Sequence, residues 1–330
     1  MEFKIRQLQL PGDYEAIAGL LNTYWSEPVD AARLEEDDTK MFVTGHTYKD
    51  ENGQLAGYDR LRLVAEQEDG SLAGYLWIWR APWTEAGTLN HTLVVEPGRR
   101  GSGIGKALYA EATGWARQLG ADLLKTEVWD HDESSLRFAN NLGYTLERHL
   151  YQSVLTLDNS ADDPLFGAEV PGRLEGEGIR FTTLADEGVE AGEARLYELY
   201  KETLPDIPGH TGGVPELSEW RKWHLMVSGY APEQVIIAAA GERYVGVSNV
   251  VYAGETNGMY HEYTGVSRDF RGRGVGLALK VQAIKMAKAR KASYIRTDND
   301  STNAPILSIN RKLGYVPQRG TYRMAAALPR

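Results

Sequence analysis

The chain has 330 residues, 42% hydrophobic and 25% charged, with a formal net charge of −10, seven histidines and no cysteine. That length accommodates about two domains of ordinary size, and the composition is that of a globular protein. The lack of cysteine excludes disulfides, thiolate metal sites and a cysteine nucleophile. The acidity argues against nucleic acid or an anionic membrane as partner, since basic groups supply most of that affinity.

No apolar run approaches the roughly 18 residues that span a bilayer, and Met1 to Arg6 carry no signal-peptide core. A cytoplasmic enzyme is the natural expectation. The negative charge suits a cationic substrate such as an amine, or serves solubility alone.

In chain order, Ile5 and Arg6 open a strand and Tyr14 to Asn22 reads as a helix; Ile179 to Phe181 and the helix from Glu193 to Tyr200 repeat that opening. Leu61 to Ala65 and Val235 to Ala238 are strands that turn at glycine-containing loops, Asp69-Gly70 and Gly241-Glu242, into the next strand. Short strands then lead into two glycine-rich loops and long helices, about 103–119 and 274–291, the first ending at Gly120 as a C-cap. Further strands (Leu123 to Trp129, Tyr294 to Thr297) and shorter helices (about 133–142 and 303–313) follow. Leu157 and Leu328 hold the same place in the two halves, so the expected domains are 1–157 and 179–330, joined by a polar linker over 158–178 with Pro164 and Pro171. The alternation gives a mixed α/β (α+β) sheet in each half.

The two loops are Arg100-Gly101-Ser102-Gly103-Ile104-Gly105 and Arg271-Gly272-Arg273-Gly274-Val275-Gly276. Each leaves a short strand (Leu93, Val94, Val95; Thr264, Gly265, Val266), and each is followed by Leu-Gly-Tyr, at Leu142 to Tyr144 and Leu313 to Tyr315. The offset is constant at 171, since 274 − 103 and 314 − 143 agree, which marks an internal duplication. Such a loop lets several backbone N–H groups face one anion while a helix N-terminus adds its positive dipole. Arg100 and Arg271 add charge suited to a pyrophosphate, and Lys106 and Leu277 complete the two segments. A dinucleotide fingerprint fails at Lys106 or Leu108, and a Walker loop fails at Arg100 and Ala107.

The runs from Val95 to Leu108 and from Val266 to Leu279 resemble the acetyl-CoA motif of the GNAT superfamily of N-acetyltransferases. The run from Asn303 to Tyr315 resembles that family's next motif, and the whole resembles tandem-GNAT proteins. The resemblance implies two tandem GNAT-like acyl-CoA N-acyltransferase domains, acetyl-CoA as donor, and direct transfer to a small-molecule amine. It implies pantetheine between two splayed strands, with a backbone N–H near Val95 or Val266 bonding the thioester carbonyl. Thr297, Asn299, Asn303 and Asn310 resemble the polar set that lines coenzyme A; the first repeat has Trp129, Asp130, Asp132 and Ala139 there, which favours the C-terminal repeat for catalysis. The family's acid, a tyrosine four residues before the Gly of Leu-Gly-Tyr, is replaced by Ala139 and Asn310. A mycothiol-synthase-like acetylation of a cysteinyl pseudodisaccharide is one alternative, which that departure weakens; a non-catalytic acyl-CoA-binding regulator is another, which it favours.

An amine with a lysine-like pKa near 10.4 is mostly protonated at neutral pH, a deficit of about 4–5 kcal/mol that a general base relieves. Glu262, four residues before Val266, is the candidate base of the second repeat, and the constant offset pairs it with His91 in the first. Asn310 is a candidate to hydrogen-bond sulfur or pantetheine, whereas Tyr144 and Tyr315 read as packing residues. Tyr75, Trp77 and Trp79 line one strand face, as an aromatic wall or as core. Glu35 to Asp38 reads as a solvated face, as do Lys280, Lys285, Lys288, Arg290 and Lys291. The histidines show no metal-ligand spacing.

Overall fold

The protein is described from a computed structural model covering residues 3–25, 28–157, 169–210 and 213–328. The chain divides into two compact units, one of residues 1–147 with 322–330, the other of residues 148–321.

In the first unit, β1 (Phe3–Gln7), α1 (Tyr14–Leu21), α2 (Ala31–Thr39), β2 (His46–Lys49), β3 (Leu55–Gln67), β4 (Leu72–Arg80), β5 (Thr88–Val95), α3 (Ile104–Leu119), β6 (Leu123–Trp129) and α4 (Glu133–Asn141) follow in order. The sheet runs β1-β3-β4-β5-β6 and is continued by the end of the chain's last strand. The helix α3 buries Ile104, Leu108, Ala112 and Ala116, one residue per turn, and stops at Gly120 in the left-handed conformation, φ 72°. That stripe packs on Leu76, Leu89 and Leu124 of the sheet, each such leucine contributing about 1.5–3 kcal/mol by leaving water.

The second unit contains β7 (Thr145–Thr156, from Arg148 onward), α5 (Glu169–Gly176), β8 (Ile179–Thr183), α6 (Val189–Thr203), α7 (Leu217–His224), β9 (Val235–Ala240), β10 (Arg243–Ala253), β11 (Gly258–Val266), α8 (Val275–Ala289), β12 (Tyr294–Asp300), α9 (Ala304–Lys312) and the start of β13 (Val316–Ala327). Its sheet order is β7-β12-β11-β10-β9-β8. The mixed α/β expectation holds in both units.

Three features differ from the sequence reading. The units do not divide at Leu157: β7 pairs from Leu150 to Thr156 with β12, while Met324, Ala326 and Leu328 lie in the core of the first unit. Repeat and compact unit therefore exchange their last strands, which no local pattern encodes. The expected linker is partly helical, since α5 covers Glu169–Gly176 and buries Leu174; residues 158–168 lie outside the described residues. Lys280 is not on a wet face. The helix α8 buries eight positions between Val275 and Ala287, and that broad buried surface includes Lys280, fully enclosed.

Met324→Ala is expected to destabilise the first unit by about 2–5 kcal/mol, the usual cost of a buried large-to-small change. Hydrogen-exchange mass spectrometry should show faster exchange of β6 amides with β12 amides unchanged.

Candidate functional site

In each unit two neighbouring parallel strands pair briefly and then part. β5 pairs with β6 only over Thr88 to Asn90, and β11 with β12 only over Gly258 to His261. Beyond those points Leu93 to Val95 and Thr264 to Val266 remain hydrogen-bonded on one side only, to β4 and β10. Their other edge faces the gap with backbone groups available to a ligand.

The glycine loops begin where these strands end. Gly101 and Gly103 adopt φ 83° and 94°, and Gly272 and Gly274 adopt φ 74° and 92°. Only glycine accepts that alternation without strain. A Cβ on Gly101, Gly103 or Gly272 would meet nothing within 4 Å, so the loop surface is open where an anion would lie. Gly103 and Gly274 are the N-caps of α3 and α8, so the free N–H groups of a first turn sit there. This cradle fits a pyrophosphate, and among its residues Arg100, Ser102, Lys106, Arg273 and Leu277 surround the glycines.

The flanking arginines are held differently. Arg100 donates to Asp132 Oδ2 at 3.1 Å. Arg271 donates from Nε to the Val266 carbonyl at 2.9 Å and from Nη2 to Asp206 Oδ2 at 2.6 Å. Asp206 also accepts from Arg268, and the two guanidinium groups, Arg268 first, pull its carboxyl down to about 2.

The centre of the second unit is a β-bulge. Asn249 pairs with Tyr263 and Val250 with His261, so Glu262 has no partner on β10. In the first unit the same stretch is regular, Trp77 opposite Thr92 and Ile78 opposite His91. The pairing of His91 with Glu262 by constant offset is therefore corrected: before the bulge the offset is 170, and the counterpart of His91 is His261. Both histidines confirm it, since His91 Nε2 meets the Tyr144 hydroxyl at 2.6 Å and His261 Nε2 meets the Tyr315 hydroxyl at 2.8 Å. Glu262 is the inserted residue, and a bulge re-aims the side chains beside it.

Glu262 does not stand alone. Its Oε1 lies 2.8 Å from His224 Nδ1 on α7, and its Oε2 accepts from Asn249 Nδ2 at 3.2 Å. Asn249 also donates to the His224 carbonyl at 2.9 Å, tying β10 to the end of α7. The side chains of His224 and Glu262 keep 16% and 17% of their exposure, so both are reachable from solvent. Around them, Tyr200 stacks on Tyr263 at 4.1 Å between centroids and meets Trp220 edge-on at 5.1 Å. The buried Tyr200 hydroxyl adjoins Asn249 without completing a well-formed hydrogen bond.

His91 is enclosed in the core beside Tyr109 and Tyr144, and burial pushes its ring down to about 4. Lys280 replaces Tyr109 in the second unit; its ammonium lies 5.0 Å from the Tyr315 ring, and burial lowers it to about 7. Asn310 Nδ2 donates to Asn299 Oδ1 at 2.7 Å, and Asn299 Nδ2 donates to Ser153 Oγ at 2.9 Å. Asn303 caps α9 through Ile306 N at 3.5 Å. Tyr75 is buried against α1, and Trp77 and Trp79 stack at 4.4 Å. Asp38, in the acidic stretch, is clamped by both terminal nitrogens of Arg62 at 2.8 Å. Among the described residues no group of acidic and histidine side chains has metal-binding geometry, and no helix is long and apolar enough to cross a membrane.

The model of the acetyltransferase (GNAT) family matches this sequence twice, over residues 17–144 and 194–315. The chain belongs to that family. It is a tandem-GNAT N-acetyltransferase. It is 30% identical over 158 residues to the streptothricin acetyltransferase of Streptomyces lavendulae, covering 43% of this chain and 83% of that one. It is 26% identical over 263 residues to the mycothiol acetyltransferase of Nocardia farcinica, covering 78% and 80%. A solved tandem GNAT protein from the clavulanic acid biosynthesis pathway shares the fold with a TM-score of 0.70 at 20% identity, over 100% of this chain and 99% of that one.

Sequence reasoning brought Glu262 and the glycine loops forward and missed His224, Asn249 and Tyr200. Nothing in the sequence separation of 38 between His224 and Glu262 marks them as a pair.

The His91 ring has a folded pKa of about 4 against 6.5 for the free ring. Its neutral form therefore stabilises the first unit fully above about pH 6.5, and that contribution is lost as pH falls towards 4. Native-state hydrogen exchange of β5 amides should show this decline, and His91→Phe should flatten it.

Proposed function

We propose that the protein transfers the acetyl group of acetyl-CoA directly to a small-molecule primary amine, and that the C-terminal unit carries out the reaction. The observation behind this reading is the bulge at Glu262. It sets a solvent-reachable carboxylate, braced by His224 and Asn249, on the strand whose free edge ends at Val266. The first unit has no bulge there, a buried His91, and Trp77 opposite Thr92.

The backbone N–H groups from Arg271 to Leu277 would hold the pyrophosphate, with Arg271 and Arg273 adding charge. A backbone N–H at the free edge of Thr264 to Val266 would bond the thioester carbonyl, a contact that strengthens as charge builds on its oxygen. Asn310, Asn299 and Asn303 lie on the facing elements β12 and α9. Leu93 to Lys106 offers the same cradle in the first unit, as a second donor site or as scaffold. A carboxylate and a side-chain amide favour an ammonium acceptor, and two of the relatives are named as acetyltransferases of streptothricin and of mycothiol. We place the protein in the cytoplasm, in keeping with coenzyme A as co-substrate.

Calorimetric titration with acetyl-CoA tests this division. Gly274→Trp, which puts a side chain at φ 92° beside Arg173, should abolish both the C-terminal binding event and turnover. Gly103→Trp should leave turnover in place. Loss of turnover from Gly103→Trp alone would move catalysis to the first unit. With a panel of primary amines, Glu262→Gln should lower kcat about 10²–10⁴-fold with acetyl-CoA affinity little changed.

A further inference from the structure

Resting on that reading of the C-terminal site, we infer that His224, rather than Glu262, takes the proton from the acceptor amine, with Glu262 and Asn249 as positioning residues. The argument begins with hydrogen-bond capacity. Both oxygens of Glu262 are engaged, one by His224 Nδ1 at 2.8 Å and one by Asn249 Nδ2 at 3.2 Å. A carboxylate only accepts, so the nitrogen facing it is the protonated Nδ1. That contact fixes the tautomer: Nδ1 carries the hydrogen and Nε2 presents a bare lone pair.

His224 Nε2 has no partner among the described residues and is not among their enclosed polar atoms. It is the one nitrogen of this cluster free to accept a proton. The ring itself cannot swing away. Tyr200 packs at 4.9 Å between centroids, Trp220 at 6.1 Å and Tyr263 at 6.1 Å, while Asn249 holds the His224 carbonyl at 2.9 Å. The arrangement is that of a base, an orienting carboxylate, and an amide that braces both, the division of labour found wherever a carboxylate holds an imidazole by Nδ1–H.

The step balances. An ammonium acceptor loses two protons on becoming an amide. His224 Nε2 takes the first and returns it to solvent. The freed nitrogen lone pair attacks the thioester carbon, a C–N bond forms and the C–S bond breaks. The second proton leaves the nitrogen with the departing sulfur, giving the free thiol. The Glu262 charge stabilises the imidazolium that exists between these events. No oxidant, metal or covalent enzyme intermediate is needed.

Two measurements on the full chain decide this. In the first, protein labelled with ¹⁵N-histidine is examined by two-bond ¹H–¹⁵N correlation above pH 8, with His224→Gln identifying the signal. The expected result is an Nδ1–H ring at position 224 that becomes a tautomer mixture in Glu262→Gln. An Nε2–H ring, or a tautomer indifferent to Glu262→Gln, would overturn the assignment. This readout needs no acceptor, so it stands even if no acetyl transfer is found, an outcome that would instead defeat the functional reading.

The second uses acetyl-CoA and whichever primary amine of a panel of L-amino acids, diamines and streptothricin the wild type acetylates. His224→Ala should lose about 10²–10⁴-fold in kcat and regain at least about tenfold with added imidazole, a small-molecule stand-in for the missing base, while binding acetyl-CoA normally by calorimetry. A merely structural histidine would give no imidazole rescue. If Glu262→Gln instead loses more than His224→Ala, and imidazole restores nothing, Glu262 is itself the base.

Discussion

The parting of β11 from β12 is the constraint on which the C-terminal site depends. Four residues pair, Gly258 to His261 with Tyr294 to Thr297, and beyond them each strand keeps a partner on its far side only. A sheet interior satisfies every backbone group, so an unpaired edge within one is costly unless something else occupies it. Under the proposed function, a ligand with its own amide and carbonyl groups would pair along that free edge. The glycine loop follows the end of β11, with Gly274 as the N-cap of α8, and the bulge at Glu262 places a carboxylate four residues before Val266.

Near the point where the strands part, both units bury a polar pair built the same way. A histidine from the parting strand (His91, His261) meets the hydroxyl of the tyrosine that follows the last helix (Tyr144, Tyr315). These are buried pairs whose imidazole rings stay neutral through desolvation; His261 Nδ1 also meets Ser248 Oγ at 3.2 Å, whereas His91 Nδ1 is enclosed without a partner among the described residues. Such a pair joins two elements at the point where the strand pairing ends. The second unit adds Lys280 beneath Tyr315, a costly choice that the first unit avoids with Tyr109.

The units differ at one pair of corresponding positions on β4 and β10. Trp77 and Asn249 occupy corresponding positions opposite Thr92 and Tyr263. The tryptophan stacks on Trp79 and fills space; the asparagine instead braces Glu262 and the end of α7. One inserted residue in β11 thus turns a packed strand into one that presents a carboxylate.

What the sequence determined by itself was whatever depends on local spacing. The constant offset of 171 exposed the duplication, the glycine alternation gave the loops, and hydrophobic period gave α3, α8 and the strands around them. Those signals survive without long-range information because each lies within one turn or one strand. Tertiary structure decided the rest. The partner of Glu262 lies 38 residues away on α7, and a one-residue bulge shifted the correspondence of His91 from Glu262 to His261. The burial of Lys280 followed from how many sides of α8 are covered, and the exchange of last strands from a pairing choice between β7 and β12. Each is a relation between distant segments, set by packing and by the need to pair backbone and polar groups, and no periodicity along the chain records it.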